Sequence, residues 1–138
     1  MEVYKNYADV TKDIIDIRRM VFIEEQGVPI ELELEAEEKN YIHCCLYIED
    51  KLIAYARVSK QTPITIGRVC VKKEFRHLGY GNKIMRYAEN QISISNTDIF
   101  IHAQLQAKKF YESLGYIPFG NQFMEAKIEH IVMKKRKA

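Results

Sequence analysis

The stretch Val69-Cys70-Val71-Lys72-Lys73-Glu74-Phe75-Arg76-His77-Leu78-Gly79-Tyr80-Gly81-Asn82-Lys83-Ile84-Met85 organises the reading of the whole chain. Ile66, Val69 and Val71 favour a strand, and Lys72 to Arg76 favour a polar turn. Tyr80, Ile84, Met85, Ala88 and Ile92 then fall on one helical face. The junction is Arg76-His77-Leu78-Gly79-Tyr80-Gly81. Glycines at a helix start leave backbone N–H groups bare, and a helix N-terminus carries partial positive charge. Together they make an anion site that suits a pyrophosphate. The plainer reading is that Gly79 and Gly81 only relieve a crowded turn. Two phosphate motifs are excluded. The third glycine of the dinucleotide fingerprint is replaced by Ile84, and no Gly-Lys-Ser/Thr follows to make a P-loop.

What remains, R-x-x-G-x-G between a strand and a helix, resembles the acetyl-CoA motif Q/R-x-x-G-x-G/A of the GNAT-type N-acetyltransferases. A second block supports it: Ala103-Gln104-Leu105-Gln106-Ala107-Lys108-Lys109-Phe110-Tyr111-Glu112-Ser113-Leu114-Gly115-Tyr116. The family commonly shows N-x-x-A-x-x-F/L-Y-x-x-x-G-F/Y there, and Gln104 stands where Asn is usual. A third segment, Val21-Phe22-Ile23-Glu24-Glu25-Gln26-Gly27-Val28-Pro29-Ile30-Glu31-Leu32-Glu33, is similar to a subgroup with ElaA-like and YjcF-like members. That subgroup usually continues with Asp where this chain has Glu35 and Glu38.

The resemblance implies an α/β (α+β) fold of GNAT type. Its mixed, mostly antiparallel sheet would have six to seven strands, with one splayed parallel pair and about four flanking helices. It also implies an acetyl-CoA-dependent N-acetyltransferase that moves an acetyl group to a primary amine by direct attack on the thioester. The cosubstrate would lie against Val69, Cys70 and Val71, and its pyrophosphate against Arg76, His77, Leu78, Gly79, Tyr80 and Gly81. Gln104 and Tyr111 complete that set. Tyr111 would protonate the departing thiolate; otherwise it is one more residue of an apolar stripe. Many members carry a glutamate base on the strand before the pyrophosphate turn. Here Ile66 to Val71 has no carboxylate, so Glu33, His102 or a water chain remain as alternatives. Cys70 as an acyl carrier is the weaker idea, because no activating charge stands beside it in sequence. A non-catalytic CoA-binding or partner-binding module on the same fold is the competing function.

Composition sets the outer limits. Hydrophobic residues at 47% and charged residues at 29% fit a globular chain, and residues 1–138 read as one domain. A net charge of +2 gives no argument for nucleic acid. Lys134-Lys135-Arg136-Lys137 reads as a solvated tail. Cys44, Cys45 and Cys70 suggest neither a disulfide framework nor a metal site, so a reducing compartment, the cytoplasm, is expected. No leader peptide or membrane span is readable. The expected partners are acetyl-CoA and an amine, with the chain a monomer or homodimer and no metal.

Along the chain, Glu2 to Lys5 suits a strand. Asp9 to about Gln26 suits a helix with Val10, Ile14, Ile17, Val21 and Phe22 inward, capped by Asn6 or Asp9 and stopped at Gly27 and Pro29. Glu24, Glu25, Glu31, Glu33, Glu35, Glu37 and Glu38 crowd the next segment. They read either as a solvated loop or as a surface facing a small or cationic amine. His43 to Glu49, Leu52 to Ser59 and Thr65 to Val71 read as an antiparallel meander. Ile53, Tyr55 and Arg57 are expected on one face of the second of these, with Leu52, Ala54, Ala56 and Val58 on the other. Asp98 to Gln104 is a further strand. Leu105 to Leu114 is a helix ended by Gly115, and Tyr116 to Lys135 is a closing hairpin in which His130 faces the acceptor side.

Overall fold

The computed structural model describes residues 1–33 and 38–137, without the Glu31 side chain. Seven strands form one sheet: β1 (Glu2–Tyr7), β2 (Tyr41–Ile48), β3 (Lys51–Ser59), β4 (Ile64–Val71), β5 (Thr97–Gln104), β6 (Ile117–Glu125) and β7 (Ile128–Lys137). Their order is β1-β2-β3-β4-β5-β7-β6. All neighbours are antiparallel except β4 and β5. The helices are α1 (Lys12–Arg18), the single turn α2 (Ile30–Glu33), α3 (Tyr80–Asn90) and α4 (Lys108–Ser113). Among the described residues, then, three helices flank the sheet and the expected fourth is one turn. None is long and apolar enough to cross a membrane.

The two faces carry two apolar layers. Ile84, Met85 and Ala88 of α3 pack with Ile99, Ile101 and Ala103 of β5 and with Tyr111 of α4. On the other face Ile14, Ile17, Val21 and Phe22 pack with Cys45, Tyr55 and Cys70. The helical stripes therefore lie where their spacing places them. Three details depart from expectation. The cap of α1 is Thr11, which accepts from the Ile14 N–H at 3.3 Å, and α1 continues as a π-helical stretch over Arg19–Glu25. A bulge beside Leu46 and Tyr47 breaks the alternation of β3, so Leu52 joins the α1 layer and Ile53 the α3 layer. The basic cluster is not a tail: Lys134 to Lys137 pair along β5, Lys135 bonds Glu89 at 3.2 Å, and Arg136 bonds Asp98 at 3.4 Å.

Candidate active site

The parallel pair sets the geometry. β4 and β5 pair only at Ile64 with Ile99 and at Thr65 with Phe100. Beyond Thr65 the two strands diverge, leaving the edge of β4 unpaired on that side. A bulge adds to the divergence. Gly67 faces Arg57 and Cys70 faces Tyr55, so Ala56 alone opposes Arg68 and Val69. Arg68 sits at φ 52°, a left-handed conformation for a non-glycine residue. The Lys72 N–H donates to Ile53 of β3 at 2.9 Å. By strand alternation Val71 and Val69 point their backbone groups the other way, into the divergence. The Val71 carbonyl there accepts from Arg76 Nε at 2.9 Å.

β4 runs through a 3₁₀ turn, Lys73–Phe75, into α3. His77 at φ 63° and Gly79 at φ 90° both take left-handed backbone, which turns successive N–H groups toward one side. Among the described residues no side chain caps α3. Its first N–H groups are bare, as helix starts leave them. Gly81 matters for a different reason, since a Cβ there would sit 3.2 Å from the Phe110 ring, a tight contact that the ring would have to yield to. Arg76 lies beside this loop but is held by both Glu25 oxygens at 2.9 and 2.8 Å. It braces the loop against the end of the π-helical stretch.

α4 supplies Tyr111, which is 9% exposed and packed edge-on against Phe110 and Tyr116. Burial, and then the neighbouring Cys70 thiol, push its pKa up, so the phenol keeps its proton at neutral pH. Burial likewise pushes Cys70 up to about 12, which leaves a thiol rather than a thiolate. Gln104, at the end of β5, donates to Gln26 at 2.8 Å across the divergence. His102, two residues earlier on the same face of β5, is half-exposed and bonds Glu125 Oε1 through Nδ1 at 3.1 Å.

Glu33 is placed quite differently from His102. It is 2% exposed, its carboxylate 2.8 Å from Arg18 Nε and 3.2 Å from Arg68 Nε. Arg18 is wholly buried; it also bonds both Glu38 oxygens at 3.0 Å, and Glu38 takes a further bond from Arg57 at 3.0 Å. Glu25, Glu33 and Glu38 are thus paired with arginines, which is neither a solvated acidic loop nor an open surface for a cation. Glu35 and Glu37 lie outside the described residues. Sequence reasoning missed Arg18, Arg68 and Glu125. Arg18 had a signal: it falls four residues from both Ile14 and Phe22, inside the buried stripe. His130 is buried, and its Nδ1 donates to the Ile128 carbonyl at 2.7 Å.

Residues 8–137 match the acetyltransferase (GNAT) domain family. The uncharacterized N-acetyltransferase YjcF of Bacillus subtilis is 33% identical over 127 residues, covering 90% of this chain and 91% of that protein. ElaA of Escherichia coli is 28% identical over 130 residues, covering 88% of this chain and 84% of its own length. The crystal structure of Escherichia coli ElaA superposes with a TM-score of 0.85 at 23% identity, covering 98% of this chain and 99% of that one. An aminoglycoside 6'-N-acetyltransferase complexed with coenzyme A superposes with a TM-score of 0.73 at 15% identity, covering 97% and 96%.

Proposed function

The chain belongs to the GNAT acetyltransferase family, within its ElaA-like and YjcF-like subgroup, and from that premise we propose that it acetylates a primary amine with acetyl-CoA. The observation that carries this reading is the divergence of β4 from β5, which opens a strand edge that runs straight into an uncapped helix start. The donor set fits the cosubstrate. Bare N–H groups around His77 to Gly81 suit a pyrophosphate, which needs donors and positive potential. The unpaired edge at Val69 to Val71 suits a chain of amides, which bonds to backbone as an added strand would.

Acetyl-CoA supplies an activated thioester that an amine can attack, with a thiolate as leaving group. The chain's own groups then divide the work. In this reading an N–H at Val69 or Val71 faces the oxyanion that develops on the thioester carbonyl. Tyr111, protonated and buried on the α4 side, holds the proton a thiolate requires. Cys70 remains a thiol in the apolar layer and supports no acyl-enzyme step. Because Glu25, Glu33 and Glu38 are each paired with an arginine, these three carboxylates do not select the acceptor by a cationic charge.

The test is thiol release from acetyl-CoA with a panel of a polyamine, an amino sugar and a peptide amine. We expect turnover on at least one of them, and a loss of 10²-fold or more in kcat for Tyr111→Phe, roughly the range general acid catalysis contributes. Acetyl-CoA binding without turnover on any amine would instead support a non-catalytic CoA-binding module.

A further inference from the structure

The β6–β7 hairpin places a carboxylate between two imidazoles beside the divergence. Glu125 Oε1 lies 3.1 Å from His102 Nδ1 on β5, and Glu125 Oε2 lies 3.8 Å from His130 Nε2 on β7. Phe123 packs against both rings, edge-on to His102 at 5.4 Å and stacked on His130 at 5.7 Å. The hairpin does not stand apart from the sheet's opening. Ala126 and Ile128 pack on the layer that contains Cys70 of β4, and Arg68 at the β4 bulge acts electrostatically on Glu125. The cluster therefore borders the divergence on the α1 face, whereas Tyr111 belongs to the layer on the α3 and α4 face.

We infer that His102 is the general base of the acetyl transfer and that Glu125 is its positioning carboxylate. The bond to an ionised Glu125 fixes the proton on His102 Nδ1 and leaves the Nε2 lone pair outward. That nitrogen has no partner among the described residues, and the ring is half-exposed. Glu33, the other side-chain candidate for the base, already faces two guanidinium groups and is closed off from solvent. His130 cannot take the same role directly: its ring is buried and its Nδ1–H is committed to Ile128, so it serves as a second neighbour of Glu125.

The inference rests on the acetyltransferase reading and balances within it. As the N–C bond forms and the C–S bond breaks, the amine gives one proton to His102 Nε2 and the thiolate takes one from Tyr111. His102 then releases its proton and Tyr111 regains one, both through solvent, so neither residue is consumed. Base and acid stand on opposite faces of the sheet, which suits a reaction whose nucleophile loses a proton while its leaving group gains one.

The groups acting on His102 set its pH behaviour. Its bond to Glu125, outweighing its partial burial, raises its pKa, and Glu125 is lowered first by that same bond. His130 from β7 and Arg68 from β4 also lower Glu125, which keeps it ionised. A base acts only when neutral, so activity should rise with pH through the His102 titration. Removing the Glu125 charge should move that limb to lower pH.

The experiment measures kcat against pH for the wild type, His102→Gln and Glu125→Gln, using whichever panel amine turns over, together with calorimetric acetyl-CoA binding for each protein. We expect His102→Gln to lose at least 100-fold in kcat and its acid limb while binding acetyl-CoA as before. Glu125→Gln should keep the limb but shift it to lower pH, an effect a purely structural role would not produce. An unchanged limb and kcat in His102→Gln would overturn this assignment alone. A wild type that binds acetyl-CoA but turns over no amine would overturn the acetyltransferase reading itself, and the assignment with it.

Discussion

Arg18 holds Glu33 twice inside the protein: its Nε donates to the Glu33 carboxylate at 2.8 Å and its Nη2 to the Glu33 carbonyl oxygen at 2.6 Å. One guanidinium therefore fixes both the side chain and the main chain of α2. Through Glu33 it reaches Arg68, the residue at the β4 bulge. The wall of the candidate site is thus set by a buried charge network as well as by apolar packing.

Removing one member of such a network strips hydrogen bonds and charge compensation from groups held in a dry interior. Arg18→Met takes the shared guanidinium from two almost fully buried carboxylates, leaving Glu33 to Arg68 and Glu38 to Arg57. We expect a loss of roughly 3–5 kcal/mol in unfolding free energy, read by urea denaturation. A loss below about 1 kcal/mol would be the level of an exposed pair and would contradict the network's role.

Gly79 starts α3 at φ 90°, a conformation in which a Cβ is strained even though the space around it is open. Gly79→Ala should cost about 1–3 kcal/mol in stability. It should also weaken acetyl-CoA binding, because relief of the strain turns the first N–H groups of α3 away. A thermal melt and a calorimetric titration of the same variant read both effects. Undiminished affinity would show that the loop's backbone shape does not matter for binding.

Acid should loosen the fold at His43. The ring is fully buried; its Nε2 donates to the Glu38 carbonyl at 2.8 Å, so Nδ1 is left to accept from the Tyr55 hydroxyl. Burial lowers its pKa in the folded state. The unfolded chain therefore binds the proton first as pH drops below about 6.5, and stability present above that value falls on acidification. His102 works in the opposite direction, since its raised pKa gives a contribution that fades as pH rises, but it is half-exposed and the effect is small. The melting temperature should fall between pH 7 and pH 5, and His43→Gln should flatten that slope.

The strand–turn–helix and the Tyr111 block were legible because their information is local: glycine positions, apolar spacing and two short motifs. Tyr111 and His102 were both named from sequence. The arginine–glutamate network was not, because its partners lie 15 and 20 residues from Arg18 in sequence and meet only after folding. An arginine inside the Ile14–Phe22 stripe was its one local trace. Glu125 was hidden for a related reason. Its hairpin turns at Ala126 and Lys127, both with positive φ, and neither residue type announces such a turn. Lys134 to Lys137 misled because a run of positive charge reads as solvated until Asp98 and Glu89 appear beside it.

Titration of the folded protein with acetyl-CoA puts the diverging strands and the uncapped helix to the question without needing to know the acceptor. We expect one site per chain, heat release, and a melting temperature that climbs with ligand concentration, as mass action requires of a ligand bound only by the folded state. No heat and no rise in melting temperature, in a protein shown to be folded, would contradict it.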